Sequence, residues 1–316
     1  METYKYFVFS DVHGEYEALK EALNIAGYES HNPHHVLVSL GDDFDRGPNS
    51  AGIYDFLERT QAICVKGNHD NFLQEFLEKG ADGEFVLFNM LHNGLTDTLT
   101  SFSHGGYDIT AIKRADLDRL QDYIKHNYPR LLKWLQSKPL YYETENYIFC
   151  HAGLDPSLHN WKDTPEDYIL WDINDSYKSI PSTRKTVIIG HHHAAKVREL
   201  AALHQIKEQN IEGLSPGIRA YGNTDENKPY RYKNKIAIDG LTNLTHKVNV
   251  LVIEDRPLPN DNNSDVSINA DEVKLKVNHM DEAVVRAYGD SMFYYMNDNG
   301  TTTLRIDPNM WTTYDM

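Results

Sequence analysis

Cysteine is scarce in this chain: two occur in 316 residues, Cys64 and Cys150. Each stands inside an apolar run, which argues against a disulfide framework and fits a reducing, cytoplasmic setting. No apolar run approaches the length that a membrane span needs. The first, around Phe7 to Phe9, is a few residues long with charge on both sides, so neither a transmembrane helix nor a signal peptide is expected. Positive charge is also in short supply, with 31 Lys and Arg against 47 Asp and Glu for a net charge of −16. Such a surface is not built to track a nucleic-acid polymer, which is held mainly by clustered lysine and arginine. An anionic substrate would therefore need local positive charge, and bound metal ions can supply it in an acidic protein. Internal repeats and extended low-complexity tracts are missing too.

What is present is the rhythm of an α/β protein. The hydrophobic content of 40% supports one large domain or two small ones. Short β-branched or aromatic runs recur over the first two-thirds of the chain, separated by segments of helical spacing. Tyr16, Leu19 and Leu23 fit one face of a helix. Further helices are expected over residues 51–59, 72–79 and 115–136, the last broken or kinked at Pro129. Beyond residue 255 the pattern changes. Residues 256–265, rich in proline and asparagine, read as a linker, and a hairpin is expected where 293–296 and 301–306 flank Asn297-Asp298-Asn299-Gly300. The expected division is a catalytic domain over 1–255 and a C-terminal extension over 256–316.

The ends of the apolar runs carry the chemistry. The run ending at Ser10 leads into Asp11, and the run from Val36 to Gly41 leads into Asp42. Ala62 to Val65 leads through Lys66-Gly67 into Asn68, Tyr147 to Cys150 into His151, and Val187 to Gly190 into His191. Ligands of α/β sheets gather beyond the carboxyl ends of the strands, so five residues far apart in sequence can converge on one cleft. Asp11-Val12-His13 alone is a weak signal, since Asp-x-His is common by chance.

The order of motifs is more specific. Ser10-Asp11-Val12-His13-Gly14, Gly41-Asp42-Asp43-Phe44-Asp45-Arg46-Gly47, Gly67-Asn68-His69-Asp70, His151-Ala152-Gly153 and Gly190-His191 resemble, in order, the motifs of the calcineurin-like metallophosphoesterases. Within that superfamily they are similar to the phosphoprotein phosphatase branch, and the resemblance spans about residues 4 to 254. It implies a four-layer α/β/β/α fold, a central sandwich of mixed sheets flanked by helices, and two divalent cations, manganese first and iron or zinc as alternatives. Asp11 and His13 would hold the first ion, Asp42 would bridge both, and Asn68, His151 and His191 would complete the second. The ions would polarise the phosphoryl oxygens and acidify the attacking water. His69 would protonate the leaving oxygen with Asp45 orienting its ring, and Arg46 would grip phosphate oxygens.

His92-Asn93-Gly94 resembles a family segment near the site and makes His92 and Asn93 candidates for the cleft wall. His192 and His193 are read as rim residues, and Asp239, at another strand end, as a supporting group. Two departures bear on the substrate. Where the related phage and bacterial phosphatases carry a second arginine two residues after a tryptophan, Trp171 is followed by Asp172 and Ile173; Arg184, Arg219 or Arg231 are candidates to compensate. Gly67-Asn68-His69-Asp70 is shared with diadenosine tetraphosphate hydrolases, which commonly lack the carboxylate at the place of Asp45. A phosphorylated protein, peptide or small phosphoester is thus the expected substrate. Nucleotide hydrolysis of the diadenosine tetraphosphatase type is the alternative, and a binding protein without catalysis on the same fold is a third reading.

Overall fold

The apolar runs pair into two five-stranded sheets in the computed structural model, which describes residues 4–107, 109, 113–172, 175–208, 227–258, 276–277, 293–296 and 302–305. The strands, in chain order, are β1 (Tyr4–Phe9), β2 (His35–Ser39), β3 (Ile63–Cys64), β4 (Tyr141–Glu143), β5 (Tyr147–Cys150), β6 (Thr186–His193), β7 (Tyr230–Tyr232), β8 (Lys235–Asp239), β9 (Leu251–Asp255) and β10 (Lys276–Val277). The first sheet runs β10-β9-β1-β2-β3 and the second β4-β5-β6-β8-β7. In the first, antiparallel β9 adjoins the parallel trio β1-β2-β3 at β1; in the second, antiparallel β4 and β7 flank the parallel trio β5-β6-β8.

Side-chain alternation explains the layering, because successive residues of a strand face opposite sides of the sheet. Tyr6 and Val8 of β1 with Val36 and Val38 of β2 meet Phe149, Ile188 and Ile236 of the second sheet in a buried core between the two. The other face of the first sheet, Phe7, Phe9 and Leu37, packs on Leu19 and Leu23 of helix α1 (Tyr16–Ala26) and on Ile53 and Leu57 of α2 (Ser50–Arg59).

Helices α3 (Asn68–Lys79), α4 (Val86–His92), α5 (Leu95–Phe102), α6 (Arg114–Asn127) and α7 (Leu131–Ser137) come next in the chain, followed by α8 (Glu166–Trp171) and α9 (Ala194–Glu208). Ile148, Cys150, Val187 and Ile189 on the outer face of the second sheet pack against Ile169 of α8 and Val197 of α9. The result is the expected α/β/β/α order. Helices α3 to α7 build a separate apolar cluster in which Phe72, Phe76, Leu99, Phe102, Leu117, Leu120 and Leu131 surround Phe44. That cluster props up the loop after β2.

The break expected at Pro129 separates α6 from α7, since proline has no amide to continue a helix and disfavours helical geometry in the residue before it. Helix α3 starts at Asn68, four residues before the expected boundary, and α4, α5, α8 and α9 stand where no helix is expected, although Leu95, Leu99 and Phe102 of α5 lie at helical spacing and are buried. Among the described residues, no helix is long and apolar enough to cross a membrane. Beyond residue 255, Thr144 bridges to Pro257 and β10 pairs with β9. Strands β11 (Phe293–Met296) and β12 (Thr302–Arg305) pair antiparallel, Phe293 opposite Arg305 and Met296 opposite Thr302. Residues 259–265 of the linker and the turn residues 297–301 lie outside the described residues.

Candidate metal centre

Loops leaving the carboxyl ends of β1, β2, β3 and β5, together with the ends of β6 and β8, deliver Asp11, Asp42, Asn68, His151, His191 and Asp239 to one place. The loops are laced by main-chain bonds. Asp11, His13 and Gly14 donate in turn to the carbonyls of Gly41, Asp42 and Asp43 at 3.0, 3.0 and 3.1 Å. Six candidate residues hold left-handed backbone conformations: Asp11, His13, Asp42, Asp45, Arg46 and His191, with φ between 47° and 73°. Such conformations cost a non-glycine residue about 1–3 kcal/mol each and persist only where the surroundings enforce them. Their concentration marks this as the strained part of the molecule.

Two sets of side chains each present ligand atoms within 4.8 Å of one another: His13, Asp42 and His69, and Asp42, His151 and His191. Asp42 belongs to both. Asn68 joins the second through its Oδ1, 2.8 Å from His151 Nε2. Asp11 stands beside the two sets. Its Oδ2 accepts the His191 amide at 2.9 Å and the Ser10 hydroxyl.

The tautomers follow from second contacts. His13 Nδ1 lies 2.9 Å from the Phe44 carbonyl and His151 Nδ1 2.8 Å from the Leu40 carbonyl, so each donates there and turns Nε2 inward. His151 Nε2 then faces Asn68 Oδ1 and, at 3.4 Å, Asp42 Oδ1. Three acceptors aimed at one another repel unless a proton or a cation sits among them, and a mixed oxygen and nitrogen set suits a divalent first-row metal. The residues therefore fit the ions that the motifs imply.

The electrostatics agree. Burial, then the neighbouring Asp239 carboxylate, raises the Asp11 carboxyl to about 8, and burial raises Asp239 to about 7 with Asp42 adding to it. Burial also works to raise Asp42, but the charges of His151 and His69 outweigh it and hold that carboxyl well below the usual range. Burial opposes charge on His151, yet Asp42 and Asp11 lift it to about 9. Three carboxylates packed out of water are unfavourable without cations. Adding manganese to metal-free protein should raise Tm, by a stability gain of about 2.7 kcal/mol per site at a hundredfold excess over Kd, and a chelator should reverse it. Calorimetry with no cation response would contradict the fit.

Gly190 shows how closely the loops approach. A Cβ there would lie 2.3 Å from Asp11 Oδ2 and against the Ser10 side chain, too near to be absorbed without moving both. Gly190→Ala should lower cation affinity about tenfold or more and cost about 1–3 kcal/mol of stability, read by titration calorimetry and thermal melts.

The second motif supplies the remaining groups. His69 Nδ1 meets Asp45 Oδ2 at 2.8 Å, both residues buried. The Arg46 guanidinium spans His13 Nε2 and His69 Nε2, 3.0 Å from each, and the Arg46 amide donates to the Gly94 carbonyl at 3.2 Å. Asn93 is buried with its amide on Asn89 Oδ1 at 2.7 Å, while His92 is exposed and packs against Phe88. This segment thus borders the site through Gly94. His192 Nε2 lies 2.8 Å from the Asp172 carbonyl, and His193 Nε2 3.8 Å from Asp239 Oδ2. Trp171 stacks edge-on to His191. Of the compensating arginines, Arg219 lies outside the described residues, as does Ile173. Arg184 and Arg231 are exposed, Arg184 just before the amino end of β6 and Arg231 on the edge strand β7, away from the carboxyl ends where the cluster forms.

Several supporting groups escape a reading of the sequence. Lys138 is buried between Asp43 and Asp70, 2.9 Å from a carboxylate oxygen of each, with its ammonium over the Trp134 ring. Asp70 Oδ2 also receives the Gly67 amide at 2.8 Å, so one buried lysine ties together the residues flanking Asp42 and His69. Nothing but its place before Pro139 distinguishes that lysine in the sequence.

A family model described as calcineurin-like phosphoesterase matches residues 4–238. Among curated proteins, the asymmetrical bis(5'-nucleosyl)-tetraphosphatase PrpE of Oceanobacillus iheyensis is 30% identical over 168 residues, which cover 49% of this chain and 59% of that protein. Serine/threonine-protein phosphatase 2 of Escherichia coli is 27% identical over 179 residues, covering 55% and 70%. The symmetrical bis(5'-nucleosyl)-tetraphosphatase of Vibrio parahaemolyticus is 26% identical over 153 residues, covering 48% and 45%. The chain thus spans little more than half the length of the first of these relatives.

Proposed function

The chain belongs to the calcineurin-like phosphoesterase family, a metal-dependent family, and from that premise we propose that it is a dinuclear metal-dependent phosphohydrolase acting on phosphomonoesters, with serine/threonine phosphoproteins as the substrate class. The observation that carries the reading is one buried carboxylate, Asp42, shared by two ligand sets, one of which includes His69, itself paired with Asp45. Asp11, His13 and Asp42 would hold one ion and Asp42, Asn68, His151 and His191 the other. Bound there, two divalent cations would polarise the phosphoryl oxygens and make water a better nucleophile; manganese suits the mixed ligands, and iron or zinc would also.

The chain's own side chains do the rest. Arg46 has a planar, two-pronged donor in the cleft, where it spans His13 and His69; turned from them, it would suit two non-bridging phosphate oxygens. Holding the ester there, it would leave His69 Nε2 facing the leaving oxygen. His69 would donate its Nε2 proton to that oxygen as the ester bond breaks, while Asp45 holds Nδ1–H and fixes the ring's orientation. Hydrogen bonds donated to the Leu40 and Phe44 carbonyls keep His151 and His13 in the tautomer that turns an unprotonated Nε2 toward the site.

A second reading, nucleotide hydrolysis, is favoured by Asp70 in the third motif and by the tetraphosphatase names of two of the relatives. Asp45 tips the choice toward phosphomonoesters. The test compares manganese-dependent turnover of p-nitrophenyl phosphate, a phosphoserine peptide and diadenosine tetraphosphate. Phosphoester turnover lost on chelation is expected. Preference for the dinucleotide by orders of magnitude would transfer the assignment to the second reading, and metal binding without turnover of any of the three would reject both.

A further inference from the structure

Helix α5 carries a threonine whose hydroxyl does not do what a helical threonine ordinarily does. In a helix interior, Thr usually returns its proton to the carbonyl four residues back. For Thr98 that carbonyl is Gly94, which instead accepts the amides of Arg46 at 3.2 Å and Asp97 at 3.0 Å. The Thr98 hydroxyl leaves the helix and donates to Asp45 Oδ1 at 2.7 Å, across 53 residues of sequence. It also accepts the Asp45 amide at 2.8 Å. Ser50 Oγ lies 3.1 Å away, and because the single Thr98 proton is already committed, Ser50 must be the donor there. All three residues are fully buried.

One oxygen therefore holds Asp45 at both ends, by its main-chain amide and by the carboxylate oxygen that His69 does not use. Asp45 needs such a hold. Its backbone is left-handed, with φ 73°, and a buried carboxylate with only one partner could rotate about its side-chain bonds. The adjoining amide, that of Arg46, is fixed by the carbonyl of Gly94, at the start of the same helix. Helix α5 thus clamps two consecutive residues of the second motif.

We propose that Thr98 is a positioning residue of the reaction, fixing the Asp45 carboxylate so that His69 is presented to the leaving oxygen; the inference rests on the phosphohydrolase reading above. An effect on proton donation should depend on the leaving group. An alkoxide leaving from a phosphoserine peptide needs a proton, whereas p-nitrophenolate leaves without one.

The experiment compares Thr98→Val, which keeps shape and removes the hydroxyl, with Thr98→Ser, which restores it; Thr98→Ala replaces Val should the extra methyl disturb Ser50. In the manganese-loaded protein, Thr98→Val should keep two equivalents of metal and its KM, and lose kcat on the phosphoserine peptide about tenfold or more. The loss should be much smaller on p-nitrophenyl phosphate, and Thr98→Ser should recover near wild-type rates. Unchanged kcat on the peptide, or equal losses on both esters, would overturn the inference. A second readout needs no turnover. In metal-free, nitrogen-15-labelled protein the His69 Nδ1–H proton should be hydrogen-bonded and visible by NMR, and should be lost or shifted in Thr98→Val but not in Thr98→Ser. An unaltered resonance in Thr98→Val sinks the positioning role. Wild-type protein that hydrolyses neither ester, with the resonance still dependent on Thr98, would instead reject the phosphohydrolase reading and leave the clamp in place.

Discussion

Asp42→Asn protein is expected to lose both cations and all turnover above the metal-free background while remaining folded. The carboxylate is the one side chain common to both ligand sets, so converting it to an amide takes a negative charge from each ion at once. An amide of the same size also brings a donor where His151 Nε2 and Asn68 Oδ1 already face the centre. Folding should survive because Asp42 Oδ1 mainly receives the His69 amide, at 2.9 Å, and an Asn oxygen can accept that bond. Losing one of three buried carboxylates even relieves the repulsion that raises Asp11 and Asp239. Against that relief stands the loss of the carboxylate that His151 and His69 hold charged and that lifts His151 to about 9, so the metal-free melt should fall modestly, and the manganese-induced rise in Tm should vanish. Plasma emission spectroscopy of dialysed protein and p-nitrophenyl phosphate assays read the two losses together. Two equivalents of manganese retained with activity would refute the shared-ligand geometry.

How much of this could be read from the sequence depends on what kind of contact is involved. Strand ends announced themselves, because a parallel strand buried on both faces is a short apolar run and the polar residue that follows is conspicuous. Asp11, Asp42, Asn68, His151 and His191 are such residues, and the structure gathers them although 180 residues separate Asp11 from His191. Proline at 129 marked its break for an equally local reason. Thr98 and Lys138 were silent. Their partners lie 53 and 95 residues away, and a threonine in a helix or a lysine before a proline has no local oddity to flag it. Only the packing of α3, α5 and α7 around Phe44 turns those side chains toward the second motif. The start of α3 was missed because Asn68 and His69 are weak helix formers. It is held instead by Asp70 reaching back to the Gly67 amide. Positive φ at six site residues was equally invisible, since it is imposed by the loops and not preferred by the residues.

His69 poses the sharper chemical question, because the geometry alone admits two roles for it. Its Nε2 lies within ligand distance of His13 and Asp42, which would make it part of the first metal set. The same nitrogen lies 3.0 Å from the Arg46 guanidinium, and a group that shares its lone pair with a phosphate-gripping arginine is placed to face substrate. His69→Asn separates the two. If His69 acts as the acid, the variant should keep both cations and lose about a hundredfold or more in kcat, with the deficit larger on a phosphoserine peptide than on p-nitrophenyl phosphate. Stability should fall by only about 1–2 kcal/mol, because Asp45 loses one partner but keeps the Thr98 hydroxyl. If His69 is a ligand, one equivalent of metal should disappear and both esters should suffer alike. Metal stoichiometry and the ratio of the two kcat deficits, measured on the same preparation, therefore decide between a proton donor and a coordinating ring; full activity in the variant would remove His69 from the mechanism.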